Sequence, residues 1–204
     1  MKRKISKATP LQITAWSLAG LTLGAGLVYF NFIDKDKFKE LPIGVECPDF
    51  LVATYEIDNG TFDYSDEFFN LHKNKGKVVI VNFWETWCSS CVEELSEFNE
   101  FYEEHNEYVE VLALAGTTSS VSEIKSWLNS DGWKSYEHSV TEEWRDFTFT
   151  FACQITTSEV SYALGYAGSL PRTVIVDKDG VVRYAQDGAM NKAKLEEVVL
   201  PLLG

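Results

Sequence analysis

The 204-residue sequence predicts an α/β domain, a mixed central sheet with helices on both faces, carried behind one apolar segment long enough to cross a membrane. Three observations carry that expectation. The chain opens on a long uncharged run. The strand-like stretch "KVVIVNFW" passes directly into a helical pattern and then a second strand, and the chain closes on two extended runs, a turn and an amphipathic helix. A chain of this length supports one good-sized core rather than two.

The uncharged run comes first. Between Ala8 and Ile33 there is no charged residue, and Leu11–Phe32 is 22 residues of mostly apolar chain. At about 1.5 Å per residue this matches the roughly 30 Å hydrocarbon layer. Lys2, Arg3, Lys4 and Lys7 precede it, so the positive-inside rule keeps the N-terminus in the cytoplasm and exports the rest. A cleaved signal peptide, with Gly24–Gly26 as its small-residue cleavage site, is the competing reading. The run exceeds the roughly 7–15 apolar residues of a signal peptide, which favours an uncleaved anchor. The expected organisation is a basic cytoplasmic N-terminus (1–10), a transmembrane anchor (11–33), a charged linker (34–42) and a globular domain (43–204). The expected location is a bacterial-type cell membrane, single-pass, with the domain outside the cytoplasm. Beyond residue 33 the chain holds 31 acids against 14 bases. A surface that acidic repels phosphate backbones, which excludes nucleic acid as a partner.

Within the domain, "CPDFLVATYEI" reads as a short extended run ending in a turn at Asp58–Gly60, and "SDEFFNLHKNKGK" as a short helical or irregular piece. "KVVIVNFW" is a β-branched and aromatic run suited to a strand buried on both faces. From Cys91 to Glu107, Val92, Leu95, Phe98 and Phe101 recur at helical spacing, and the glutamates between them read as a solvated face. Val109–Gly116 is a second strand, and Ser119–Ser130 a helix that Ser119 or Ser120 caps. Residues 136–157 mix strand-like "FTFTFACQI" with "TEEWRDF", whose pattern also fits a helical turn. A short helix follows around "SEVSYALGY". The hairpin "LPRTVIVDKDGVVRYA", turning at Asp179-Gly180, and the helix "NKAKLEEVVLPLL" complete the chain.

The chemistry concentrates in "NFWETWCSSCVEE", Asn82–Glu94. A Cys-x-x-Cys pair at a strand-to-helix junction puts Cys88 at a helix N-terminus, where unpaired N–H groups and the helix dipole favour a thiolate. Cys91, one turn on, reaches back to resolve a mixed disulfide. The alternatives fit less well. Zinc wants a second Cys pair or paired histidines, but Cys47, Cys153, His72, His105 and His138 are scattered, so no metal site and no cofactor are expected. A structural staple across so short a loop removes little unfolded-state entropy. A peroxiredoxin-type peroxidase wants Thr or Ser three residues before its cysteine, where Glu85 stands.

With "CPDF" upstream and "SLPRTVIVDKDGVV" downstream, this stretch resembles the TlpA/ResA-like thioredoxin-family thiol:disulfide oxidoreductases, from about Ile43 to the C-terminus. Residues 141–157 look like an insertion. The resemblance implies a thioredoxin-like fold with Cys88 attacking and Cys91 resolving. It implies a cis peptide at Pro171 facing the pair, with the backbone at Leu170 binding a client chain. Glu94 aligns with an acidic residue that modulates the cysteines' proton chemistry, and Trp84 and Trp87 pack around the couple and partly shield it. Implied partners are client protein thiols or disulfides, apocytochrome c among them, and a thiol-electron donor in the membrane.

The sequence departs from the family pattern in three places. Asn82 stands where ordinary thioredoxins bury an aspartate, so Glu94 is the proton acceptor left. Ser96 replaces the proline that usually kinks the first helix. The Ser-Ser dipeptide between the cysteines matches no familiar redox pair and discloses no potential. Cys47 and Cys153 are extra, either a pair or two buried thiols. Three functions follow: an extracytoplasmic reductase of client disulfides, a disulfide-forming oxidase on the same fold, or a non-catalytic adaptor.

Overall fold

The computed structural model describes residues 43–204, apart from residues 59–60, 116–117, 131–134, 138, 140, 142–143 and 154–158. The expected anchor lies outside the described residues. Among those described, no helix is long and apolar enough to cross a membrane.

A seven-stranded mixed sheet organises the domain. In chain order the elements are β1 (Leu51–Asp58), β2 (Thr61–Asn70), β3 (Val78–Phe83), α1 (Ser89–His105), β4 (Val109–Ala115), α2 (Val121–Leu128), β5 (Ser135–Glu137), β6 (Trp144–Asp146), β7 (Thr150–Cys153), α3 (Glu159–Ala163), β8 (Arg172–Val176), β9 (Val182–Asp187) and α4 (Lys192–Val199). The strand order is β2-β1-β7-β4-β3-β8-β9, and β5 pairs with β6 in a small ribbon of its own. β3 runs parallel to β4 and β4 parallel to β7, whereas β8 lies antiparallel to β3. This is the mixed sheet the sequence predicts.

All six residues of β3 are buried, because helices cover both faces. Alternation divides them. Val78 and Ile80 pack in one core with Leu95, Phe98 and Phe101 of α1, Ile124 and Leu128 of α2, and Leu195 and Val199 of α4. Val79, Val81 and Phe83 face the other core, with Val160 and Leu164 on the α3 side. At about 25 cal/mol per Å² of buried apolar area, these two layers dominate the stabilisation of the fold.

The structure departs from the sequence reading in three places. "SDEFFN" is not helical or irregular: it belongs to β2, paired antiparallel with β1 from Leu51↔Asn70 to Asp58↔Thr61. Phe62, Ser65 and Phe69 face inward and Asp63, Glu67 and Phe68 outward, and an irregularity in the ladder between Ala53 and Tyr55 interrupts the alternation. "TEEWRDF" supplies β6 rather than a helical turn. The segment read as an insertion contributes β7, a strand inside the main sheet that pairs with β1 and β4. Buried Phe147, Phe149 and Phe151 tie it to the core.

The hairpin at the end has its expected form. Gly180 takes a left-handed φ of 87° and donates its N–H to the Asp177 carbonyl at 2.9 Å, while Asp177 Oδ1 accepts the N–H groups of Asp179 and Val181.

Candidate active site

One end of the sheet collects the functional residues. β3 and β4 run in parallel, so their C-terminal ends lie together, with Phe83 opposite Leu114. Arg172 at the start of antiparallel β8 pairs with Phe83, which brings Leu170 and Pro171 to the same end. Site residues on sheets of this kind gather at the C-terminal ends of the parallel strands.

From β3 the chain turns once and enters α1, two residues earlier than the apolar spacing indicated. Cys88 is the N-cap: its backbone is extended, and its sulfur accepts the N–H of Cys91 at 3.3 Å. An N-cap acceptor sits where the first N–H groups of the helix lack partners, so a negative sulfur there is stabilised by hydrogen bonding and by the helix dipole. Cys88 and Cys91 are joined as a disulfide. Cys88 retains slight exposure at 7% and Cys91 has none, which makes Cys88 the sulfur a client can reach.

Behind the couple lies a buried polar pair. Glu94, one turn after Cys91 on the same helix face, is only 3% exposed. Its Oε1 accepts the Asn82 side-chain amide at 2.7 Å and its Oε2 accepts the Met190 N–H at 2.9 Å. Burial pushes its carboxyl up to about 7, against the lowering effect of those two hydrogen bonds. A groove of about 340 Å³, lined by Ser90, Glu93, Glu97, Met190 and Lys194, opens onto Glu94 and connects it to solvent. Asn82, at the position where thioredoxins bury an acid, thus holds one here.

Trp87 stands 64% exposed, with its indole N–H donated to Thr118 Oγ1 at 3.0 Å, whereas Trp84 is fully buried against Trp127 and Phe151. The Leu170–Pro171 peptide is cis, Leu170 is half-buried and Pro171 buried. Ser96 gives its hydroxyl to the Glu93 carbonyl, and α1 continues unbroken through it.

The glutamates of α1 are not uniformly solvated. Glu100 is buried and accepts both the N–H and the hydroxyl of Ser139 at 2.6 Å, and Glu97 accepts the Lys192 N–H. Sequence reasoning also gave Glu85 no role. It is fully buried, and its carboxylate accepts the N–H groups of Thr118 and Ser119 at 2.9 and 3.3 Å. An acid inside the apolar run "NFWETW" was the signal available. Cys47 and Cys153 lie in different cores, on opposite faces of the sheet, and are not joined to each other as a disulfide. Among the described residues no group of three or more His, Cys, Asp or Glu could hold a metal ion. A cleft of about 640 Å³ between the β1–β2 hairpin and residues 147–150 touches neither active cysteine.

The profile of the Redoxin family matches residues 47–199. The chain belongs to the redoxin family. Similar redoxins include the thiol-disulfide oxidoreductase ResA of Bacillus thuringiensis (strain Al Hakam), 30% identical over 87% of this chain and 84% of that protein. The thioredoxin-like protein YneN of Bacillus subtilis is 28% identical, over 88% of this chain and 94% of its own length. Among solved structures, the pneumococcal exposed lipoprotein thioredoxin of Streptococcus pneumoniae superposes with a TM-score of 0.59 at 21% identity, covering 76% of this chain and all of that one. The resemblance read from the sequence holds: this redoxin is a thioredoxin-fold thiol:disulfide oxidoreductase, and the adaptor reading falls away.

Proposed function

We propose that this redoxin is a membrane-tethered, extracytoplasmic reductase of client disulfides, with apocytochrome c among its clients and a membrane dithiol as its electron donor. The observation that carries the reading is Glu94, a buried carboxyl poised near neutral pH one turn from the resolving cysteine. The apolar run before the domain and the similarity to ResA support the location and the pathway.

In the reduced enzyme, the Cys88 thiolate attacks one sulfur of a client disulfide and the other client sulfur leaves as a thiolate. Cys91 then loses its proton to Glu94 and attacks the Cys88 sulfur. Both client sulfurs take up protons and the client leaves as a dithiol, its two added electrons having come from Cys88 and Cys91, which are now joined as a disulfide. Glu94 returns its proton to solvent through the adjoining groove. An acid with a pKa near the working pH suits both halves of this exchange. A membrane dithiol then reduces the couple for another cycle.

The reading is tested by equilibrating the couple in defined thiol buffers. A potential near −250 mV or lower supports it, and one near −120 mV, about that of a strong oxidant, overturns it in favour of disulfide formation. Capture of clients by Cys91→Ala in membranes then identifies them, and the reading fails if no mixed disulfide forms.

A further inference from the structure

Among the described residues, Glu85 is the most deeply buried carboxyl group that the exchange chemistry leaves unused. It occupies the turn between β3 and α1 and is fully buried, which is costly for a carboxylate whose oxygens lack hydrogen bonds. Both are engaged, by the backbone N–H groups of Thr118 and Ser119 in the loop after β4. Its own carbonyl accepts the Cys88 N–H at 3.0 Å. Thr118 in turn accepts the indole N–H of Trp87, the exposed ring directly before the attacking cysteine. One side chain therefore clamps the loop whose hydroxyl holds the indole, while its main chain meets the nucleophile's.

We propose that Glu85 is a positioning residue for client recognition, fixing the Thr118–Ser119 turn so that Thr118 presents the Trp87 indole as a docking face beside Cys88. A large ring with one polar edge loses little entropy when it is already held, and its face is then free for an apolar client residue next to the disulfide under attack. The neighbouring loop residues Thr118, Ser119 and Ser120 carry no charge, so the surface selects by shape and apolar contact. The proposal rests on exchange at Cys88 and holds whichever way the electrons run.

Glu85→Gln is isosteric but sets an amide donor against one of the two N–H groups, and Thr118→Val removes only the hydroxyl that holds the indole. With dithiothreitol as electron source and its direct reaction subtracted, turnover is measured on two probes: a synthetic peptide carrying one disulfide flanked by leucines, and the small polar disulfide oxidised glutathione. Each variant is expected to raise KM for the peptide about fivefold with kcat within about twofold, the scale of one lost hydrogen bond. KM for the small disulfide stays within about twofold, and the double variant is no worse than the worse single one, because both act through one indole. An unchanged peptide KM in Thr118→Val, equal shifts for both disulfides, or additive effects would overturn the proposal. Thr118→Val carries the test alone should Glu85→Gln fail to fold. A wild-type protein that exchanges neither disulfide would overturn the exchange activity itself, a result distinct from the others.

Discussion

Cys88 and Cys91 have almost the same exposure as Cys47 and Cys153, from 0 to 7% across all four, yet only the first pair sits where thiolate chemistry is favoured. Cys88 caps a 17-residue helix and its sulfur receives a backbone N–H. Cys47 sits in an apolar core where burial, then the nearby charge of Asp49, pushes its thiol up to about 12. Cys153 is raised by burial, which a hydrogen bond from Tyr55 opposes and the charge of Glu85 reinforces. Burial alone therefore does not decide reactivity. The decisive difference is whether the sulfur faces unpaired N–H groups or apolar side chains and a carboxylate.

The sharpest way to break this comparison is to remove the capping sulfur. Cys88→Ala should abolish exchange with any disulfide, and residual turnover in an insulin-reduction assay would show that another thiol attacks. Cys91→Ala should keep the first attack and lose turnover, so that mixed disulfides accumulate on Cys88 and appear by mass spectrometry.

Glu94→Gln should slow turnover on the order of 100-fold and remove an inflection near pH 7 from the pH–rate profile, because the proton acceptor is gone. The same variant should change stability against pH. The folded carboxyl titrates near 7 and the unfolded one near 4.5, so the folded protein holds the extra proton between them. Wild-type stability should fall by roughly 3 kcal/mol relative to Glu94→Gln as pH rises through that window and level off above it. Parallel urea-unfolding curves for the two proteins across this range would contradict the burial argument.

The smallest effect belongs to the second cysteine pair. Cys47→Ala and Cys153→Ala should leave exchange unchanged and cost about 1–2 kcal/mol of stability each through lost packing, measurable as a lower urea midpoint.

Much of this site was legible in the sequence because local patterns encode it. A mostly β-branched and aromatic run, a Cys-x-x-Cys junction and an i, i+3, i+4 apolar helix face give β3, the cap and α1 without tertiary information. β2 was missed because acids on its outward positions and the irregularity opposite Ala53–Tyr55 obscure a period of two. The strand-like "FTFTFACQI" does contain β7, but its place inside the main sheet and the β5–β6 ribbon were unreadable for a different reason. Their hold on the domain comes from distant partners, Asn99 accepting the Thr148 N–H at 2.7 Å and Glu100 gripping Ser139, and no local pattern reports a contact forty or so residues away. Trp87 and Glu85 share that limit. Whether an indole beside a cysteine covers it or stands out depends on Thr118, which the next strand delivers.

Position at the helix N-terminus makes Cys88 the attacking thiol, and pulse alkylation of the reduced protein reads this out directly. The fully reduced protein is treated briefly with iodoacetamide at pH 7 and the modified residues are mapped by mass spectrometry. Label is expected on Cys88 first, with Cys91 slower and Cys47 and Cys153 labelled only after unfolding. Label arriving first on Cys91 or on either core cysteine would contradict it.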